Sequence, residues 1–349
     1  MAFDSTESVG PVPRSDLDEL LRGTSPQVWE ALRHQSMLIT GGTGFVGKWL
    51  LEALLHADRE FELGLTLSVL TRDPNRFGRS SAHLAHAAPV DVIRGDVCDF
   101  EVANRTFSSI IHAALPVSAP NASGDDLAQL AEAGTRRVCE VAASSGAGRL
   151  LHISSGAVYG PPRNELPLME ESHWNESQVN EYTRAKRLAE TVVREQWPFE
   201  VVIARCFAFI GPAMLPSSGS AAAQFIESAA LGQGIVVHGT GETLRSYQYA
   251  SDMARWLLTC LILGRPSRAY NVGHASGVTI AQLACQVTRL AALETDVRIE
   301  GHATSGLASA RYLPDVHRAE RELGLHNSVD LQDAILRTLA WRKANCMYP

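Results

Sequence analysis

The sequence predicts an α/β fold: a doubly wound parallel sheet, followed by a smaller C-terminal α/β region that binds substrate. Three observations carry that prediction. Short apolar runs alternate with helical patterns from Met37 to Arg205, the rhythm of strands covered on both faces by crossover helices. The first run, Met37–Ile39, stops at a glycine cluster and passes at once into the helical pattern Phe45, Val46, Trp49, Leu50, Leu51, Leu54, Leu55. Beyond Gly211-Pro212 the rhythm changes, starting with the Ser/Gly/Pro-rich loop Pro216–Ser220. At 349 residues the chain accommodates a large core or two coupled units. We expect an arm with short helices over 1–34, a dinucleotide-binding unit over 35–212, and a substrate-binding region over 213–349 interleaved with the end of the sheet.

Taken in order, residues 1–15 are polar with two prolines and read as a mobile arm. Asp16–Leu21 and Pro26–Leu32 read as short helices, the second with Ser25 as N-cap and proline at its first position. Strands are expected at Met37–Ile39, Leu65–Thr71, Val92–Arg94, Ser108–His112, Arg149–Ile153 and Glu200–Arg205, with helices near Gly134–Ala142 and Val179–Gln196. The C-terminal part offers helices at Ala221–Leu231, Asp252–Leu263, Thr279–Leu290 and from Leu331, with short strands at Ile235–His238 and Val297–Ile299.

Composition narrows the partners. A net charge of −7 argues against nucleic acid or an anionic membrane as the main partner, so individual arginines matter more than the total. The six cysteines, Cys98, Cys139, Cys206, Cys260, Cys285 and Cys346, form no C-x-x-C pair and mostly fall in apolar segments. We read them as reduced and buried, in a cytoplasmic protein. No signal-peptide pattern opens the chain, and no apolar run reaches the ~18 residues of a membrane span.

Strand, glycine turn and helix together form the context of dinucleotide binding in a Rossmann-like fold. Gly41, Gly44 and Gly47 allow positive φ and close backbone approach to a pyrophosphate seated at the helix N-terminus, beside Phe45 and Val46. Downstream, Tyr182 and Lys186 lie one helical turn apart on one face. A free phenol titrates near pH ~10, and an ammonium beside it is expected to lower that value. The pair suits proton transfer at a carbinol while hydride moves to or from a nicotinamide. Upstream, a strand ends in Ser154-Ser155, whose hydroxyls lie where the reacting oxygen would be held. After the second strand, Thr71 stands where NAD binders place an acid, and Arg72 follows, suited to a 2′-phosphate. NADP is therefore favoured over NAD, with Asp73 two residues on as the acid that keeps NAD open.

Jointly the motifs resemble the extended short-chain dehydrogenase/reductases, the nucleotide-sugar epimerase/dehydratase family. They are T-G-G-T-G-F-V-G (Thr40–Gly47), G-D-V (Gly95–Val97), H-A-A (His112–Ala114), S-S-G-A-V-Y-G (Ser154–Gly160), Y-T-R-A-K (Tyr182–Lys186), R-C-F-A-F-I-G-P (Arg205–Pro212), R-S-Y-Q-Y-A-S-D (Arg245–Asp252) and Y-N-V-G (Tyr270–Gly273). The resemblance implies Ser155 as the catalytic hydroxyl, Tyr182 as general acid/base, and Lys186 as its modulator and a ribose ligand. It implies Asp96 and Val97 beside the adenine, Ala113 and Ala114 along the cofactor, and Arg245 on the diphosphate of a nucleotide-diphosphate sugar, with Arg311 a second candidate. It also implies a homodimer formed through two helices per subunit, the Tyr182 helix among the candidates.

Three departures limit the substrate. The family's 4,6-dehydratases carry Asp-Glu directly after the catalytic hydroxyl, and this chain has Gly156-Ala157, which argues against that reaction. Ala131 and Ala208 stand where the family has asparagines, the second of which often contacts the diphosphate. The expected function is a nucleotide-sugar epimerase or 4-keto-sugar reductase using NAD(P). Reduction of a non-nucleotide carbonyl, or cofactor binding without turnover, stay open as alternatives.

Overall fold

The computed structural model describes residues 9–115, 124–161, 167–175, 179–301 and 311–346. Helices α1 (Arg14–Gly23) and α2 (Pro26–Leu32) lead into β1 (Ser36–Thr40), α3 (Phe45–Phe61) and β2 (Thr66–Thr71). Then come α4 (Pro74–Ser80), α5 (Ala82–Ala85), β3 (Val90–Arg94), β4 (Ser109–His112) and α6 (Gly124–Ser144). The central part continues through β5 (Arg149–Ser155), α7 (Glu181–Val193), β6 (Glu200–Cys206), β7 (Ala208–Ile210), α8 (Ala221–Ala230) and β8 (Val236–Val237). Last are β9 (Leu244–Tyr249), α9 (Ala250–Leu263), β10 (Arg268–Val272), β11 (Gly277–Thr279), α10 (Ile280–Leu290), β12 (Arg298–Ile299), β13 (Arg311–Tyr312), α11 (His317–Leu323) and α12 (Leu331–Cys346).

Seven strands form a sheet in the order β10-β6-β5-β4-β1-β2-β3, with every neighbouring pair parallel. Parallel sheets bury both faces, and the alternation of side chains shows it. Met37 and Ile39 of β1 join Leu67, Val69, Ile111 and Leu151 in the core that holds α3 and α9. Leu38 points the other way, to Leu70, Ile110 and Leu150 in the core shared with α6 and α7. Strand order reverses between β1 and β4, so the carboxyl ends of these two strands open a crevice where ligands bind in sheets of this kind. Strand β10 comes from beyond Gly211 yet closes the edge of the main sheet, beside β6.

The remaining strands are small. β11, β9 and β13 form one sheet with β7 on β9, and β8 pairs with β12. A third core of Phe225, Ile226, Leu283, Val287, Ile335 and Leu339 packs α8, α10 and α12 against them. No helix among the described residues is long and apolar enough to cross a membrane.

The arm is a correction. Residues 1–8 lie outside the described residues, but 9–15 are docked: Val9 and Val12 are buried in the core. The Val12 N–H donates to Glu52 Oε1 of α3 at 3.2 Å, and Trp341 Nε1 of α12 donates to the Pro11 carbonyl at 2.9 Å. Two prolines and few apolar residues conceal this in the sequence, because the segment is held by backbone groups rather than by a periodic face. Helix α1 then aims the buried Asp16 inward, where its Oδ2 accepts from Tyr249 Oη at 2.5 Å and its Oδ1 from Arg337 at 3.1 Å. Among the described cysteines none is paired, and Cys139, Cys206 and Cys260 are buried as expected, whereas Cys285 is exposed.

Candidate active site

The glycine turn links β1 to α3, and its three glycines have different tasks. Gly41 has φ +72°, and a Cβ there would stand 2.6 Å from the Ala113 carbonyl carbon. At Gly47 a Cβ would stand 2.3 Å from the Gly41 oxygen, so a bare α-carbon lets α3 close on the turn. Gly44 is different. It is the N-cap of α3 in extended conformation, with no side-chain cap, and a Cβ would meet the protein only at 3.4 Å. The protein tolerates a side chain at 44, so the open space belongs to whatever sits on the first turn of the helix. Unpaired N–H groups and the dipole of a 17-residue helix suit that space to a phosphate.

Other expected cofactor residues line up along the carboxyl edge of the sheet. The Ala113 N–H donates to the Thr40 carbonyl at 3.1 Å and the Ala114 N–H to Thr40 Oγ1 at 3.3 Å, which fixes the loop after β4 against the glycine turn. Asp96 follows β3, with one carboxylate oxygen accepting the Cys98 N–H at 3.0 Å. Val97 packs on Gly134 of α6, where a Cβ would come within 2.9 Å of its methyl. Arg72, directly after β2, is exposed and has no ion pair among the described residues. Asp73 is committed elsewhere: its Oδ1 caps α4 by accepting the Arg76 N–H at 2.9 Å.

Ser155 ends β5 and Tyr182 opens α7, whose N-cap Asn180 accepts the Thr183 N–H at 2.8 Å and so sets where the helix begins. The Ser155 hydroxyl, which accepts the Ala157 N–H at 3.1 Å, lies close enough to the Tyr182 phenol to act on its titration. Lys186, one turn along, is buried and its Nζ donates to the Ile153 carbonyl of β5 at 2.8 Å. The structure thus brings the Ser155, Tyr182 and Lys186 side chains to one edge of β5. Burial holds the Lys186 ammonium down at about 8. The expected lowering of the Tyr182 phenol is not found. Burial raises it, against a smaller downward pull from the Ser155 hydroxyl, while the Lys186 ammonium is turned to a backbone carbonyl.

Beneath this edge lies a buried ion pair. Arg205 of β6 donates Nε to Glu190 Oε1 at 3.0 Å and Nη2 to Oε2 at 2.8 Å, and Ser154 Oγ donates to the same Oε1 at 2.6 Å. Glu190 is fully buried on α7, so this fork ties the helix carrying Tyr182 to β5 and β6. Tyr159 cannot substitute for Tyr182: its hydroxyl donates to Asn271 Oδ1 at 2.7 Å, and burial pushes it up to about 12.

On the substrate side, Arg245 stacks over the Tyr312 ring, its guanidinium 4.7 Å from the centroid. The parallel register pairs Tyr312 with Arg245 and Arg311 with Leu244. Since successive residues of a strand face opposite ways, Arg311 leaves the other face and is not brought to Arg245. Sequence reasoning missed three contributors. Phe207 covers Gly156 so closely that a Cβ there would lie 2.8 Å from the ring. Tyr312 supports Arg245 and donates its hydroxyl to the Gly160 carbonyl at 2.5 Å. Lys48, directly after the third glycine, is a buried cation, and its position in the fingerprint was the one available signal. No group of ligating side chains that could hold a metal exists among the described residues.

Comparison with known proteins agrees with this geometry. The NAD dependent epimerase/dehydratase family matches residues 37–273. A UDP-glucuronic acid decarboxylase 1 of Xenopus tropicalis is 30% identical over 317 residues, covering 87% of this chain and 71% of its own. Among solved structures, an epimerase of Methanothermobacter thermautotrophicus superposes with a TM-score of 0.78 at 22% identity, over 92% of this chain and 95% of its own. A dTDP-glucose 4,6-dehydratase from Streptomyces venezuelae, solved with NAD bound, gives 0.77 at 23% identity, over 89% and 98%.

Proposed function

This chain belongs to the NAD dependent epimerase/dehydratase family, and on that premise we propose that it moves hydride between a nicotinamide and a carbinol or ketone carbon of a nucleotide-diphosphate sugar, as an epimerase or a 4-keto-sugar reductase. The observation that carries this reading is the gathering of Ser155, Tyr182 and Lys186 at the end of β5, with Lys186 one turn behind the tyrosine and anchored on the Ile153 carbonyl. A bound nicotinamide supplies or accepts the hydride at the sugar carbon. Tyr182 gives the proton to the nascent alkoxide, or takes it from the alcohol in the reverse direction. Ser155 holds the reacting oxygen in line with the phenol, and Lys186, anchored on the Ile153 carbonyl, would hold the cofactor ribose. Gly41, Gly44 and Gly47 with the first turn of α3 would hold the pyrophosphate, and Arg245, preset by Tyr312, would grip the substrate's diphosphate.

Dehydration is disfavoured on physical grounds. Neither Gly156 nor Ala157 has a side chain that moves a proton, and the Phe207 ring occupies the room an acid at 156 would need. The likeness to a decarboxylase favours one second reading: a sugar whose carboxyl lies β to the oxidised carbinol would lose CO2 once the ketone forms. For the cofactor we choose NADP, because Arg72 has no counter-ion and the carboxylate of Asp73 is engaged in capping α4.

A thermal-shift screen with UDP-, GDP-, dTDP- and CDP-sugars, followed by cofactor absorbance and product analysis, tests the proposal. Stabilisation by one nucleotide class, with a C4 epimer or reduced sugar as product, is expected; CO2 release would select the second reading. Reduction of simple carbonyls with no stabilisation by any nucleotide sugar would overturn both.

A further inference from the structure

We infer that Lys48 is a ligand of the adenosine 2′-phosphate, acting from the first turn of α3 together with Arg72 and Arg76. The inference rests on the choice of NADP made above and adds a residue that no dinucleotide motif specifies.

Lys48 is only 6% exposed, yet its ammonium has no hydrogen bond or ion pair among the described residues. Its natural partner by helical spacing, Glu52 at i+4, is engaged elsewhere. Glu52 Oε1 accepts His83 Nε2 at 2.7 Å and the Val12 N–H at 3.2 Å. The helix does not favour this cation either, because the first turn of α3 is the positive end of its dipole. A largely desolvated positive charge at that end, its stem buried and its tip reaching the surface, is stabilised when an anion joins it.

Beyond Glu52, the surroundings add positive charge. Arg76 of α4 lies within Coulombic reach of Lys48, and burial followed by that repulsion brings the ammonium down to about 8. Arg72 and Arg76 are both exposed and make no ion pair among the described residues. Asp73, the one acid in the turn between β2 and α4, is turned to the helix cap. Lys48 and Arg76 therefore lie near one another between the glycine-turn helix and α4, and Arg72 follows the end of β2, the place where the ribose of an adenosine comes to rest when its pyrophosphate sits on α3. A phosphate dianion there would compensate the Lys48 and Arg76 charges, with Arg72 at the end of β2 able to join them, whereas the neutral 2′-hydroxyl of NAD leaves that charge uncompensated.

The test is direct binding to the purified full-length chain, by fluorescence quenching or calorimetry, with NADPH, NADH and adenosine 2′-monophosphate as probes. For the wild type we expect tighter binding of NADPH than of NADH and measurable binding of the 2′-monophosphate. In Lys48→Met the affinity for NADPH and for the 2′-monophosphate should fall about 10- to 100-fold, the range for a charged hydrogen bond, with NADH little changed. Lys48→Arg should restore part of the loss, and the exposed Arg76→Ala, which leaves the fold alone, should show the same selective pattern. Equal weakening of NADPH and NADH in Lys48→Met, or no change in either, would overturn the role of Lys48 and leave NADP standing. Wild-type preference for NADH would overturn the cofactor choice itself, and this inference with it.

Discussion

Glu190→Gln tests how the active-site helix is held. The substitution keeps the shape of the side chain but removes the charge facing Arg205, which makes two hydrogen bonds to it at 3.0 and 2.8 Å in a fully buried setting. Removing one member of a buried pair costs about 3–5 kcal/mol, because the remaining charge is left uncompensated. A protein of 349 residues has an unfolding entropy near 0.7 kcal/mol/K at roughly 2.1 cal/mol/K per residue, so the melting temperature should fall by about 4–7 °C. Burial pushes the Glu190 carboxyl up, and the Arg205 hydrogen bonds and charge, with Ser154, pull it back below its ordinary value. A carboxyl lowered on folding stabilises above its unfolded value of 4.5 and loses that contribution as pH falls through the lower folded one. The gap between wild type and variant should therefore be full at neutral pH and close in acid. Scanning calorimetry at neutral pH and denaturant titrations at several pH values measure both. The double variant Glu190→Met/Arg205→Met should lose less than the two single variants together, since both charges leave at once. A melting temperature within 1 °C of wild type for Glu190→Gln, or strict additivity in the cycle, would refute this account.

Three further outcomes are expected. Tyr182→Phe should lower turnover by about 10²- to 10⁴-fold, the usual contribution of a positioned acid/base, with cofactor affinity unchanged in a binding titration. Gly44→Ala should melt like the wild type but bind cofactor more weakly, whereas Gly47→Ala, whose Cβ would lie 2.3 Å from the Gly41 oxygen, should lose both stability and affinity; a thermal melt beside a cofactor titration separates them. Lys186→Met should abolish turnover yet raise the melting temperature of the cofactor-free protein. Burial lowers this ammonium from 10.5 to about 8, so its cost is full below pH 8 and relieved as pH rises toward 10.5, and the gain should shrink over that interval.

Much of this was legible in the sequence where local pattern and tertiary need coincide. β1 is apolar from Met37 to Ile39 because both faces are covered, and Gly41 is glycine because the turn needs φ +72°. The spacing of Tyr182 and Lys186 survives as geometry because α7 is regular from Glu181 to Val193. What the sequence concealed depends on distant partners. The rise of the Tyr182 phenol follows from burial and from Lys186 turning to the Ile153 carbonyl, neither of which spacing encodes. The separation of Arg311 from Arg245 follows from a register set between strands far apart in the chain. Phe207 over Gly156 joins two motifs that read separately as a strand end and a turn.

The docked N-terminal segment has a consequence for the order of assembly. Pro11 accepts from Trp341, 330 residues away, and Asp16 accepts from Arg337, 321 residues away. Residues 9–16 therefore complete their hydrogen bonding only when α12 is in place. Until α12 has been made, Asp16 lacks the arginine that pairs with it, and the backbone of residues 9–13 lacks part of its hydrogen bonding. Contacts this far apart in sequence carry a loop-closure cost that local contacts do not. Removal of α12 should therefore loosen residues 9–13, which lose the Trp341 hydrogen bond to Pro11.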